Sequence, residues 1–311
     1  MYHSPSWQAS HRGRGVLPVG RVCHRVGTGR PRASAVLSGA FLGKAGDMRR
    51  TVELTELGGN DEGPRVLLLP GLGARGSGFR ELALQLTDAA RPVLVEYPEG
   101  EHAARGARAL AEQVLRVTGN VDAVVASSFG GMVAAHLAAG GATRGVAFLG
   151  AFTRTEHVGP RGRLIAMMGP IAVLGRPGRV AASLAAWRPV PADQVADVVP
   201  TTALERLTTL RRAFAIHTEP PPPDLRPLEV SCVCIQGDRD VLVPPSSLSR
   251  LAASLPEGTP LHVLRGAGHV PYFSHPEECA RLLTPWLQAL APAGLAALTA
   301  RELGRDEGSA A

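Results

Sequence analysis

Residues 121–131 read Val-Asp-Ala-Val-Val-Ala-Ser-Ser-Phe-Gly-Gly, and no other stretch narrows so far what this chain can fold into. Short apolar residues run up to Ser127, Ser128 is followed by Phe129, Gly130 and Gly131, and 132–139 is almost wholly apolar. Such a run predicts a buried strand, an abrupt turn and a buried helix, with one hydroxyl at the bend. The pattern small-x-Ser-x-Gly-Gly is a nucleophile elbow, in which a strained turn lifts the serine Oγ off the sheet. Small neighbours are needed because strand and helix nearly touch there. Ala126 stands two positions before the serine, where glycine is usual, and alanine is still small enough for the turn.

The stretches on either side supply a sheet for that elbow. Residues 52–57 alternate with period two and predict an edge strand, whereas Arg65-Val66-Leu67-Leu68-Leu69 predicts a fully buried one. Helical spacing at Phe79, Leu82 and Leu86 predicts a helix over 79–89, and Leu110, Val114 and Val117 predict another over 103–117. Strands are expected over 92–97 and 145–152, between and after those helices. Strands alternating with helices imply a mostly parallel sheet covered on both faces, with right-handed crossovers and ligands bound beyond the carboxyl ends of the strands.

Residues 153–229 break the rhythm, with Met167, Met168, Trp187 and the run Pro220-Pro221-Pro222-Pro223. Prolines forbid one continuous helix, so short helices joined by stiff links are expected. Strand and helix resume over 230–236, 244–255, 261–264 and 276–290. The middle is therefore an insertion at the ligand end of the sheet. The expected division is a basic tail or over-called start over 1–47, core over 48–152, a helical cap over 153–229, core again over 230–291, and a C-terminal tail over 292–311.

Charge argues in the same direction. The net +6 is carried by residues 1–47, which hold seven basic side chains against Asp47; the other 264 residues carry 26 basic and 26 acidic ones. The basicity thus belongs to a tail, and nucleic acid is disfavoured as a partner. Met48 as the true start is preferred to a disordered native tail, and that to a targeting segment. The longest smooth apolar stretch, 164–174, is about half of a membrane span. Cys232 and Cys234 alternate on an apolar strand and are expected to pack as small hydrophobes. With Cys23 and Cys279 they make neither a disulfide framework nor a metal site, and reduced cytosolic thiols are the expectation.

A serine nucleophile needs a base, and the base needs an orienting acid. Gly237-Asp238-Arg239-Asp240 follows one of the resumed strands and Gly266-Ala267-Gly268-His269 the next. The order Ser128, Asp240, His269 is the chain order expected of three residues on successive loops of one sheet edge. Ser127 and Asp238 are competing candidates for nucleophile and acid, and Glu156 a further one for the acid. His136 and His262 read as structural groups, and His157, His217 and His275 as solvated loop residues, with a pocket lining as the alternative.

On these motifs the chain resembles the α/β-hydrolase superfamily, over roughly 65–152 and 230–290. The resemblance implies Ser128 as nucleophile, His269 as base and Asp240, in the Gly-x-x-Asp loop, as the orienting acid. It implies oxyanion donors at the backbone amides of Leu72 and Phe129, behind Pro70-Gly71 where the family often has His-Gly. The serine weighs against the family's dehalogenases and epoxide hydrolases, which use an aspartate there, and Lys44 is the only lysine. The implied activity is hydrolysis of a low-polarity carboxylic ester without a cofactor. A thioesterase, a carbon–carbon bond hydrolase and a non-catalytic binder of small ligands are the alternatives. Met167 and Met168 are expected to line the substrate pocket, or else to be plain core.

Overall fold

The computed structural model describes residues 51–100, 103, 106–160 and 176–291. The expected tails over 1–47 and 292–311, the apolar stretch 164–174, and Met167 and Met168 within it lie outside the described residues.

The strands are β1 (Glu53–Glu56), β2 (Arg65–Leu69), β3 (Arg91–Glu96), β4 (Val121–Ser127), β5 (Thr143–Leu149), β6 (Ser231–Gly237) and β7 (Leu261–Leu264). They form one sheet in the order β1-β3-β2-β4-β5-β6-β7. Only β1 runs antiparallel, paired with β3; the other neighbours are parallel. After β2 the chain steps to one side as β3 and then returns across it as β4. That reversal leaves a crevice beyond the carboxyl ends of β2 and β4, where Leu69 pairs with Ala126.

Each central strand is apolar on both sides, and alternate residues feed two cores. Val66, Leu68, Ala123 and Val125 pack under helices α1 (Arg80–Leu86) and α9 (Pro276–Leu290). Leu67, Leu69, Val124 and Ala126 pack under α2 (Ala107–Thr118) and α3 (Gly130–Ala139). Cys232 and Cys234 share that second core as free thiols. Among the described residues, the α-helices between β5 and β6 are α4 (Pro177–Leu184), α5 (Val195–Val198) and α6 (Ala203–Thr218). Short α7 (Leu248–Ala252) and α8 (Pro271–Ser274) follow β6 and β7.

Some boundaries differ from expectation for local reasons. The strand expected to reach 152 ends at Leu149, because Gly150 turns the chain at φ 56°. The helix expected over 244–255 shrinks to Leu248–Ala252, since Pro244 and Pro245 start a tighter turn. Helix α6, at 16 residues, is longer than the short pieces the prolines suggested. Its prolines fall only outside its ends, and a capping box between Thr202 and Glu205 fixes its start. Among the described residues, no helix is long and apolar enough to cross a membrane.

Candidate active site

Ser128 sits between β4 and α3 with φ 51°, a left-handed conformation that a residue with a side chain rarely adopts. Close packing makes the turn possible. A Cβ on Gly130 would lie 2.7 Å from the Leu69 carbonyl oxygen and 2.8 Å from that of Pro70, so only glycine lets α3 start against β2. Gly71 is as confined: a Cβ there would meet the Ser128 Cβ at 2.9 Å. The loop after β2 therefore passes directly over Ser128. Neither the Leu72 nor the Phe129 amide donates to an acceptor among the described residues.

The loops after β6 and β7 bring two more groups to the serine. His269 Nε2 lies 2.9 Å from Ser128 Oγ, and its Nδ1 lies 2.8 Å from Asp240 Oδ2. Asp240 Oδ1 accepts the amides of Leu242 and Val243, at 2.8 and 2.9 Å. Its Oδ2 also accepts from Gln236 Nε2 at 2.7 Å, and the same amide group donates to the Val243 carbonyl. Both Asp240 and His269 are buried. A carboxylate so held accepts a hydrogen bond from the Nδ1–H, which fixes the tautomer and leaves Nε2 as the acceptor for the serine hydroxyl.

The competing residues have other partners. Asp238 accepts the Gly266 amide at 2.7 Å and ties the loop after β6 to the loop after β7. Glu156 is exposed on a short turn. Ser127 is buried as the last residue of β4. His136 lies on α3 and His262 on β7. The expectation of solvated loops fails for His157 and His275, both buried. Burial holds the His157 imidazole down at about 4, and its Nδ1 accepts the Thr153 amide. His275 bonds Arg188, which also donates to the Ser274 carbonyl.

Above Ser128 lies a cavity of about 130 Å³. Gly71, Leu72, Phe152 and His269 line it from the sheet edge, and Val180, Leu184, Val198, Val199, Ala213 and Ile216 from the helices between β5 and β6. Among the described residues no Asp, Glu, Arg or Lys lines it; His217 does. Its walls belong to both cores. Phe152, Val158, Ile216 and Val243 continue the core under α3, while Val198, Val199, Val270 and Tyr272 continue that under α1.

The sequence profile described as "Alpha/beta hydrolase family" matches residues 66–282, which span the sheet from β2 to α9. The chain belongs to the α/β hydrolase family. A 74-residue stretch is 39% identical to the epoxide hydrolase EphH of Mycobacterium tuberculosis. That match covers 22% of this chain and spans about a third (35%) of that protein. The fold also matches solved α/β hydrolases. An esterase from Thermogutta terrifontis superposes with a TM-score of 0.61 at 18% identity, covering 77% of this chain and 94% of that one. The haloalkane dehalogenase DbeA from Bradyrhizobium elkani gives 0.61 at 17%, covering 78% and 99%. An esterase from Exiguobacterium antarcticum gives 0.61 at 16%, covering 78% and 99%. At such identities the likeness is one of fold, so within the family the chemistry must be argued from this chain's own residues.

Sequence reading missed two residues at this α/β-hydrolase site. Gln236 orients Asp240, and its signal was a lone amide in a strand otherwise apolar or small. Tyr272 lines the cavity three residues beyond His269, and nothing in the sequence distinguishes it from core.

Proposed function

We propose that this α/β hydrolase is a serine hydrolase that cleaves a carboxylic ester of a small, weakly polar molecule through an acyl-enzyme. The observation that carries this reading is the unbroken chain from Ser128 Oγ through His269 to Asp240, with separations of 2.9 and 2.8 Å. Ser128 attacks the ester carbonyl while His269 takes its proton, and Asp240 stabilises the imidazolium. The Leu72 and Phe129 amides, with no acceptor of their own among the described residues, donate to the tetrahedral oxyanion. Losing one such donor costs about 3 kcal/mol of transition-state stabilisation. The imidazolium then protonates the leaving alcohol, and the same histidine activates the water that releases the acid.

The fold likeness to a dehalogenase and the sequence match to an epoxide hydrolase favour different chemistry. Against them stands a serine, not an aspartate, at the elbow. A hydroxyl attacks a carbonyl well with a base at hand, and His269 is within reach of Oγ. Residues 153–229 are read as a helical cap, because α4, α5 and α6 furnish much of the apolar wall over Ser128. An apolar wall suits an apolar acyl or alcohol group.

A fluorophosphonate probe and a panel of nitrophenyl esters test the reading together. Ser128 should be labelled and the esters hydrolysed, and Ser128→Ala should abolish both. Labelling with no ester turnover, but with thioester turnover, would move the substrate class. No labelling and no turnover of any carbonyl substrate would overturn the reading.

A further inference from the structure

Helix α4 ends directly against the loop that carries His269. Its last turn closes with the Ala186 amide donating to the Ser183 carbonyl at 3.1 Å and the Trp187 amide to that of Ala182. That is a Schellman ending, in which glycine is usual at the left-handed position. Here Ala186 occupies it at φ 59°, and Trp187 follows at 65°. Two consecutive residues with side chains persist in that region only where the surroundings impose it. Trp187 is 69% exposed, so its own side chain does not hold the turn. At such a helix end the last carbonyls are left over. That of Leu184 accepts the His269 amide at 2.7 Å and the Val270 amide at 3.4 Å. A Cβ on Gly268 would collide with the same oxygen and lie 2.6 Å from the Ala186 nitrogen, so only glycine admits the turn this close.

Arg188 ties the far side of this turn to the core. Its guanidinium donates to the Ser274 carbonyl at 2.7 Å and to His275 Nε2 at 2.8 Å. Both acceptors belong to buried residues at the junction of α8 and α9. An arginine can only donate, so His275 Nε2 accepts and its Nδ1 carries the proton. That proton goes to Ser274 Oγ at 2.8 Å, and the serine hydroxyl donates to the Val270 carbonyl at 3.3 Å. The residue after His269 is thus held at both ends, its amide by Leu184 and its carbonyl through a chain of donors that starts at Arg188.

We infer that Arg188 is a positioning residue: it locks the end of α4 onto the α8–α9 junction, so that the Leu184 carbonyl seats the His269 backbone and keeps Nε2 within reach of Ser128 Oγ. The inference rests on the reading of Ser128 and His269 as nucleophile and base, and it gives α4 a part in the chemical step. Leu184 lines the cavity, so one residue both walls the substrate's apolar group and seats the base. Arg188 is not among the described residues that line the cavity. Its loss therefore bears on the alignment of the base and not on the binding of substrate, and a misplacement of about 1 Å can cost about a hundredfold in rate.

The test is Arg188→Met, which keeps an apolar stem and removes the donors, assayed with nitrophenyl acetate, whose short acyl group fills little of the cavity. In the variant, shown to be folded by its melting curve, kcat should fall by about tenfold or more while KM stays within about twofold. Adding Ala186→Gly to Arg188→Met should recover part of that loss, because glycine favours the left-handed turn without a clamp. A fall in kcat of less than about threefold, a loss carried by KM alone, or a loss that Ala186→Gly does not relieve would overturn the positioning role. Should Arg188→Met not fold, Arg188→Lys, whose ammonium lacks the fork that reaches both acceptors, is judged by the same criteria. Should the unmodified protein turn over no carbonyl substrate and resist fluorophosphonate, amide hydrogen exchange reads the seat without activity. The His269 and Val270 amides should then exchange about tenfold faster or more in the variant than in the unmodified protein. That result sustains the clamp after the hydrolase reading has failed, and equal exchange in the two proteins overturns it.

Discussion

At the scale of single residues, the site turns on which of several similar side chains are held by others. Asp240 accepts two loop amides, the Gln236 amide and the His269 imidazole, whereas Asp238 is engaged with the Gly266 amide. On the proposed mechanism, Asp240→Asn should lower kcat by about 10³-fold or more, because it favours the wrong imidazole tautomer. Asp238→Asn should cost far less, and the reverse order would move the orienting acid to Asp238. Ser128→Ala and His269→Ala should each lower kcat by about 10³-fold or more, with the double variant little worse than either, because such groups act as a unit. Additive losses would mean that the two side chains act in separate steps. Chain order alone brought Ser128, Asp240 and His269 to one sheet edge in the sequence reading. Gln236 and Tyr272 escaped it, since a lone amide or phenol among apolar residues reveals its partner only when the chain is folded.

At the scale of elements, helix α6 grips the loop that carries Leu72. Glu205, in the first turn of α6, accepts the Thr201 and Thr202 amides at 2.8 Å each and two hydrogen bonds from the Arg75 guanidinium. The Arg75 amide donates to the backbone carbonyl of Asp197 in α5, and a Cβ on Gly73 would lie 2.7 Å from Thr209 Oγ1. Burial alone would raise the Glu205 carboxyl; the Thr202 and Arg75 hydrogen bonds outweigh it and hold the group at about 2, against an ordinary 4.5. The charged form is thus favoured in the folded state, so the stabilisation is present above pH 4.5 and is lost as pH falls toward 2. Glu205→Gln should therefore destabilise the protein by about 2 kcal/mol at neutral pH, screening at the partly exposed Arg75 included, and flatten the stability profile between those limits. Denaturant titrations at successive pH values check both. Equal losses for the two proteins across that range would remove Glu205 from this role. A sequence reading that took the proline-rich middle for short links could not foresee this grip. The capping box that starts α6 was written there as Thr202-Ala203-Leu204-Glu205.

At the scale of the whole domain, one cavity joins the two cores that the sheet keeps apart. The alternation of strands and helices made both cores legible in the sequence, because the middle of each buried strand is apolar on both faces. The cavity was not legible, since it depends on how α4, α5 and α6 lie over the sheet edge. Its volume bounds the substrate. A cavity of about 150 Å³ holds benzene, and the 130 Å³ here accommodates a slightly smaller group. Each methylene buried in it is worth about 0.8 kcal/mol, or roughly fourfold in kcat/KM. On the proposed function, catalytic efficiency should rise from acetyl esters toward chains of roughly six carbons and then level off. Ala213→Phe, which fills the wall contributed by α6, should lower hexanoyl turnover far more than acetyl turnover and move the plateau to shorter chains. Val180→Asp should erode the preference from the α4 side, because a carboxylate in that wall must stay hydrated. Both follow from kcat/KM measured against acyl length from two to eight carbons. A flat profile unmoved by either substitution would mean that the helices between β5 and β6 serve packing or a partner, with the substrate held by the core loops around Gly71 and Phe152.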